Sequence, residues 1–113
     1  MSSPTVDRAR QLAAQLVGAG LAATHDARAV AGMAPCVLIG PPRLSFDVGT
    51  SATASWRLLA VAASADPLSA WEQLDNLVAA VAVVLSVETA DPTQFAPNAD
   101  SDPLPAYALT LTD

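Results

Sequence analysis

Three observations predict an α+β fold in which a mainly antiparallel sheet of about five or six strands packs with two principal helices. Two segments, 4–17 and 67–85, repeat apolar residues at helical spacing. The stretches 35–63 and 105–112 are continuously apolar or alternate with a period of two. The order of elements is helix, three or four strands, helix, two strands, which lacks the regular βαβ alternation of a parallel sheet.

The first helix opens at Ser3 and Pro4, a capping residue followed by the imino acid that suits a first helical turn. Val6, Ala9, Leu12, Ala13, Leu16 and Val17 form its apolar stripe, and Gly18 and Gly20 close it. Asp7, Arg8, Gln11 and Gln15 occupy the other face, which places the helix on the outside of the domain with one stripe inward. Residues 21–25 read as a short strand, and 26–34, without a clear period, as a connection with room for one helical turn.

Segment 35–40 is an apolar strand bounded by Pro35 and Gly40, and Pro41 with Pro42 forbids its continuation as a central strand. The chain turns a corner there. Leu44, Phe46 and Val48 then alternate with Arg43, Ser45 and Asp47 as in a half-buried strand, Gly49, Thr50 and Ser51 supply a turn, and 53–63 returns as the second arm of the hairpin. Trp56, Leu58, Ala60 and Ala62 share one face of that arm. Leu59 and Val61 make its far end apolar on the other face too, so the sheet centre is expected at 58–62, covered on both sides.

Asp66 and Pro67, and the capping-box pair Ser69 and Glu72, are overlapping start signals for a helix that runs to about Leu85. Trp71, Leu74, Leu77, Val78, Val81 and Leu85 make its predicted core stripe; with the Trp71 ring buried, Trp71→Ala would cost about 3–5 kcal/mol. Glu72, Gln73, Asp75 and Asn76 give the first half a wet face, whereas Ala79, Ala82 and Val83 take that side in the second half. A helix apolar all round needs cover on all sides, so these small residues are expected to abut another element or another subunit. Residues 87–95 and 105–112 complete the sheet. In the last strand Tyr107, Leu109 and Leu111 alternate with Ala108, Thr110 and Thr112.

The 113 residues suit one domain spanning 1–113. Hydrophobic residues make up 52% and charged residues 14%, too few charges to solvate a whole monomer surface generously, so some apolar surface is expected to meet a partner. The net charge is −6 and the five basic residues are scattered arginines, without the basic stripe that tight DNA binding requires. Cys36, the single cysteine, has no internal disulfide partner and reads as a reduced, buried thiol. Asp7, Arg8 and Arg10 interrupt any secretory apolar run, and the longest apolar stretch, 77–85, is too short for a bilayer, so a soluble protein made inside the cell, with no membrane partner, is expected.

No chemical constellation emerges. His25, the only histidine, reads as a strand-end residue rather than an acid–base catalyst, and Cys36 as packing rather than a nucleophile. Gly49-Thr-Ser-Ala-Thr53 lacks the second glycine and the strand-to-helix turn of a nucleophile elbow. Asn98-Ala-Asp-Ser-Asp102 has alternating oxygen ligands, but Pro103 stands where a calcium loop needs glycine and no closing glutamate follows. Gly40-Pro-Pro-Arg43 and Gly18-Ala-Gly20 are too poor in glycine to cradle a phosphate. No catalytic residue, metal or cofactor is expected, and the chain is not expected to be an enzyme.

Taken together, the leading helix, Pro35-Cys-Val-Leu-Ile-Gly-Pro-Pro42, the strand ending at Phe46-Asp47, Trp56-Arg57-Leu58, the helix opening Trp71-Glu-Gln-Leu-Asp75 and Leu104-Pro-Ala-Tyr-Ala-Leu109 resemble the tail terminator (tail-completion) proteins of long-tailed bacteriophages. The likeness spans nearly the whole chain, and its motifs are structural. It implies a virion structural protein of the tail neck, assembled in the host cytoplasm, whose homo-oligomeric ring, typically a hexamer, caps the head-proximal end of the tail tube. Its partners would be the tail tube protein and the head–tail connector. On this resemblance Ala79, Ala82 and Val83 are candidate subunit contacts, and the hairpin tip, Asp47, Val48, Gly49, Thr50 and Ser51, is a candidate for reaching the tube. The acidic balance fits a lumen through which DNA passes without specific binding. The alternatives are a neck adaptor or stopper, and a small-molecule-binding regulatory α+β domain.

Overall fold

The computed structural model describes residues 4–46, 53–64, 66–96 and 103–112. Along the chain run helix α1 (Pro4–Gly18), strand β1 (Ala23–Thr24), a 3-10 turn (Ala27–Ala29) leading into the one-turn helix α2 (Val30–Met33), strands β2 (Cys36–Ile39), β3 (Arg43–Ser45) and β4 (Thr53–Val61), helix α3 (Pro67–Val84), and strands β5 (Thr89–Phe95) and β6 (Leu104–Thr112). The strands form one sheet in the order β1-β2-β4-β6-β5, with β3 also paired to β4. Only β1 and β2 run parallel, which gives the expected α+β architecture of two long helices and a six-stranded, mostly antiparallel sheet.

Local chemistry sets the helix ends. Helix α1 closes in a Schellman motif: Leu21 N–H donates to the Leu16 carbonyl and Gly20 N–H to that of Val17, both at 3.0 Å. Gly20 stands at φ +86°, a conformation that glycine adopts without steric cost. At the start of α3, the Asp66 carboxylate accepts from the Ser69 backbone N–H at 3.0 Å and Pro67 follows as the first helical residue. Asp66 is thus the cap, and Ser69 contributes only its backbone.

Register decides the core. Trp56 lies opposite Leu111, Leu58 between Ile39 and Leu109, and Ala60 between Val37 and Tyr107. All eight share one face of the sheet, over which Leu12 and Leu16 of α1 and Ala70, Leu74, Leu77 and Val81 of α3 close the larger core. Fully burying a side chain of the size of Leu58 or Leu109 stabilises by about 1.5–3 kcal/mol. On the opposite face Cys36, Leu38, Val61 and Ala106 make a smaller core closed by Val30 of α2. The segment 26–34, with little periodicity of its own, is therefore the second cover that the doubly apolar end of β4 requires.

Three expectations are corrected. Trp71 is not in the core; its ring is 60% exposed. The buried residues of α3 are Ala70, Leu74, Leu77 and Val81, and Trp71 lies about 60° round the helix from Leu74, on a flank that leaves it exposed among the described residues. The apolar stripe of α1 is narrower than predicted, since Val6 and Val17 are exposed while Leu12 and Leu16 carry the packing. Strand β3 is exposed at all three positions, and Leu44 and Phe46 face solvent rather than a core. Among the described residues both long helices pack on other strands, so alternation at this edge finds no helix to pack against.

Candidate functional site

Chemically reactive groups are dispersed. His25 is exposed at the end of β1, whereas Cys36 is buried in the smaller core, where desolvation raises the thiol pKa and keeps it protonated and inert. Asp26 caps the 3-10 turn: its carboxylate accepts from the Arg28 backbone N–H at 3.0 Å and from Arg28 Nε at 3.2 Å. These bonds, the backbone one first, lower its pKa. Among the described residues no group of three or more His, Cys, Asp or Glu side chains could hold a metal ion. The possible calcium loop, 98–102, lies outside the described residues, as do Asp47, Val48, Gly49, Thr50 and Ser51 of the hairpin tip.

The surface that stands out is apolar. Ala79, Ala82 and Val83 are exposed on α3, Val83 at 87%. Trp71 and Leu68 are exposed on the same helix, the latter at 73%. Val78, Ala79 and Ala82 form one wall of an open groove whose other wall is Ala90 of β5 and Tyr107 of β6, with Asp75 at its rim. The groove exists because β5, the edge strand, extends the sheet beyond α3: α3 packs on β4 and β6, and α1 on β1, β2 and α3. Described residues leave this flank without an intramolecular cover.

A second apolar patch lies at the other edge of the sheet. Ser55 of β4 pairs with Arg43 of β3 on one side and with Thr112 of β6 on the other, so β3 and β5 are on opposite edges. Leu44, 45% exposed, lies opposite Ala54, which packs against the larger core, so Leu44 projects on the helical side of the sheet. Phe46 follows it at 73% exposure. On the open side, Arg43 and Arg57 line a shallow depression with Ser55, Thr110 and Asp91.

The exposure of Trp71, Leu44 and Phe46 was missed by sequence reasoning, which gave Leu68 no role. For Trp71 a signal existed: it sits on the flank shared with Asp75, not at the centre of the stripe. No family model, curated protein or solved structure matches the chain.

Proposed function

We propose that this chain is a non-enzymatic structural subunit that works by shape, and that its place is the head-proximal end of a phage tail tube, which it caps as a ring. The observation that carries the reading is the apolar surface of α3, where Ala79 and Ala82 line an open groove with Ala90 of β5, and Trp71 and Val83 are exposed on the same helix. Exposed apolar surface of this kind marks a protein–protein interface. The dispersion of His25, Cys36 and the carboxylates supports a role without catalysis, and the resemblance across the chain supplies the tail.

The mechanism is steric. Subunits bury the flank on joining, the ring seats on the tube tip with a surface that substitutes for one more tube layer, and its far face offers no site for the next layer. That far face then meets the head connector. The acidic balance, −6 over the chain, lets DNA cross the ring without being held.

Adding the purified protein to polymerising tails tests the proposal. Tails of uniform length with terminal density are expected; overgrown tails without that density would reject it. Selective binding to filled heads rather than tubes would instead assign the chain to a neck adaptor or stopper.

A further inference from the structure

We propose that Pro92 guards the longest free edge of the sheet: it removes the central N–H from the outer rim of β5, so that the β5 strands of two copies of this chain do not pair and continue the sheet. The guard follows from the ladders and does not depend on the capping role.

Three hydrogen bonds fix which way each backbone group points. Ala62 N–H donates to the Pro105 carbonyl at 3.0 Å, one step beyond the pair Val61 and Ala106 in the β4–β6 register. Hydrogen-bonded and non-bonded pairs alternate along an antiparallel ladder, so Pro105, Tyr107, Leu109 and Leu111 point their backbone groups at β4, and Leu104, Ala106, Ala108 and Thr110 point theirs at β5. The other two bonds agree: the Arg57 carbonyl, in the opposite phase of β4, accepts from Gly40 N–H at 3.3 Å, and the Thr110 carbonyl accepts from Glu88 N–H at 2.8 Å.

Across the next ladder Thr89, Asp91, Thr93 and Phe95 lie opposite Thr110, Ala108, Ala106 and Leu104. Their amides and carbonyls are therefore engaged by β6, and Ala90, Pro92 and Gln94 point to the outer rim. Pro92, exposed at the middle of that rim, has no N–H to offer, and its ring fills the place of the missing hydrogen. One residue earlier or later, a proline would have removed a bond of the β5–β6 ladder; at 92 it removes none of the fold's own bonds and blocks only an incoming strand. The other edges are short: β1 has two residues, and β3 has three and follows Pro41 and Pro42. With seven residues, β5 is the free edge among the described residues that is long enough to template another strand. A protein that enters the neighbouring α3 groove thus meets side chains, not a strand-addition site.

Amide hydrogen exchange on the full chain tests the guard first. In the wild type, free or assembled, the Ala90 and Gln94 amides should exchange at least about tenfold faster than those of Asp91, Thr93 and Phe95. Pro92→Thr restores the N–H without adding apolar surface. In light scattering it should strengthen self-association about tenfold or more over the wild type, as two regained backbone hydrogen bonds would, with the amides at 90, 92 and 94 becoming protected on association. Adding Gln94→Pro to Pro92→Thr returns a proline to the outer phase and should abolish the gain. Protected Ala90 and Gln94 amides in the wild type, a Pro92→Thr variant that associates no more than the wild type, or a gain that survives Gln94→Pro would each overturn the guard. The wild-type exchange pattern decides the matter if a variant does not fold. Tail length is a separate readout, so a failed guard and a failed capping role are told apart.

Discussion

Trp56 on β4 is 1% exposed between the sheet and its helices, whereas Trp71 on α3 is 60% exposed. The first ring is fixed by register: it faces Leu111 across the β4–β6 ladder and lies in the larger core with Leu12, Leu16 and Leu74. The second sits one flank away from the buried stripe of its helix. Residue type alone does not separate the two. What separates them is whether a second layer arrives above the position, and at Trp71 the chain supplies none among the described residues.

The largest effect that would break this comparison is at the sheet centre. Trp56→Ala is expected to destabilise by about 3–5 kcal/mol in denaturant unfolding, because the vacated volume cannot refill from a close-packed core. A loss well below about 1 kcal/mol would mean that Trp56 is not the anchor described. Next comes the helix that carries Trp71: Asp66→Ala removes the cap on the Ser69 N–H and should cost about 1 kcal/mol in the same assay, with Asp66→Asn largely spared. Unchanged stability in Asp66→Ala would place the start of α3 elsewhere.

Trp71→Ala sharpens the comparison from the other side. It should change monomer stability by less than about 1 kcal/mol, as surface substitutions do, while weakening self-association in light scattering. A stability loss like that of Trp56→Ala would return Trp71 to the core. The smallest effect concerns the 3-10 turn, where Arg28 lowers the Asp26 pKa. A carboxylate depressed in the folded state contributes stability that is present above its unfolded pKa and lost as the pH falls through the lowered value. Acid titration of Asp26→Asn against the wild type should therefore show the two stabilities converging at low pH, with only a small gap near neutrality because both partners are exposed. A gap that widens toward low pH would reverse the assignment.

Much of the scaffold was legible because its signals are local. Pro67 after Asp66 marks a helix start, Gly20 a helix stop, and Pro41-Pro42 a corner, and each acts within a few residues of itself. The face shared by Trp56, Leu58, Ala60 and Ala62 follows from a period of two. The pairing of β1 with β2, the path β4-β6-β5 and the role of α2 over Cys36 and Leu38 depend on residues distant in sequence, and periodicity does not encode them. The candidate surface was half legible. Ala79, Ala82 and Val83 stood out because a wet helix face turned apolar, but Trp71 and Phe46 looked like ordinary core residues. An interface residue and a core residue obey the same hydrophobic pattern, and only the position of the covering layer tells them apart.

The central claim is that the α3 flank is buried by another protein chain when the subunit works. Acrylamide quenching of the Trp71 emission, taken as the difference between the wild type and Trp71→Phe and followed across the assembly transition seen by light scattering, tests it most directly. Accessibility should fall several-fold on assembly, toward that of the buried Trp56. A Trp71 ring as open to the quencher in the assembly as in the monomer would contradict the claim.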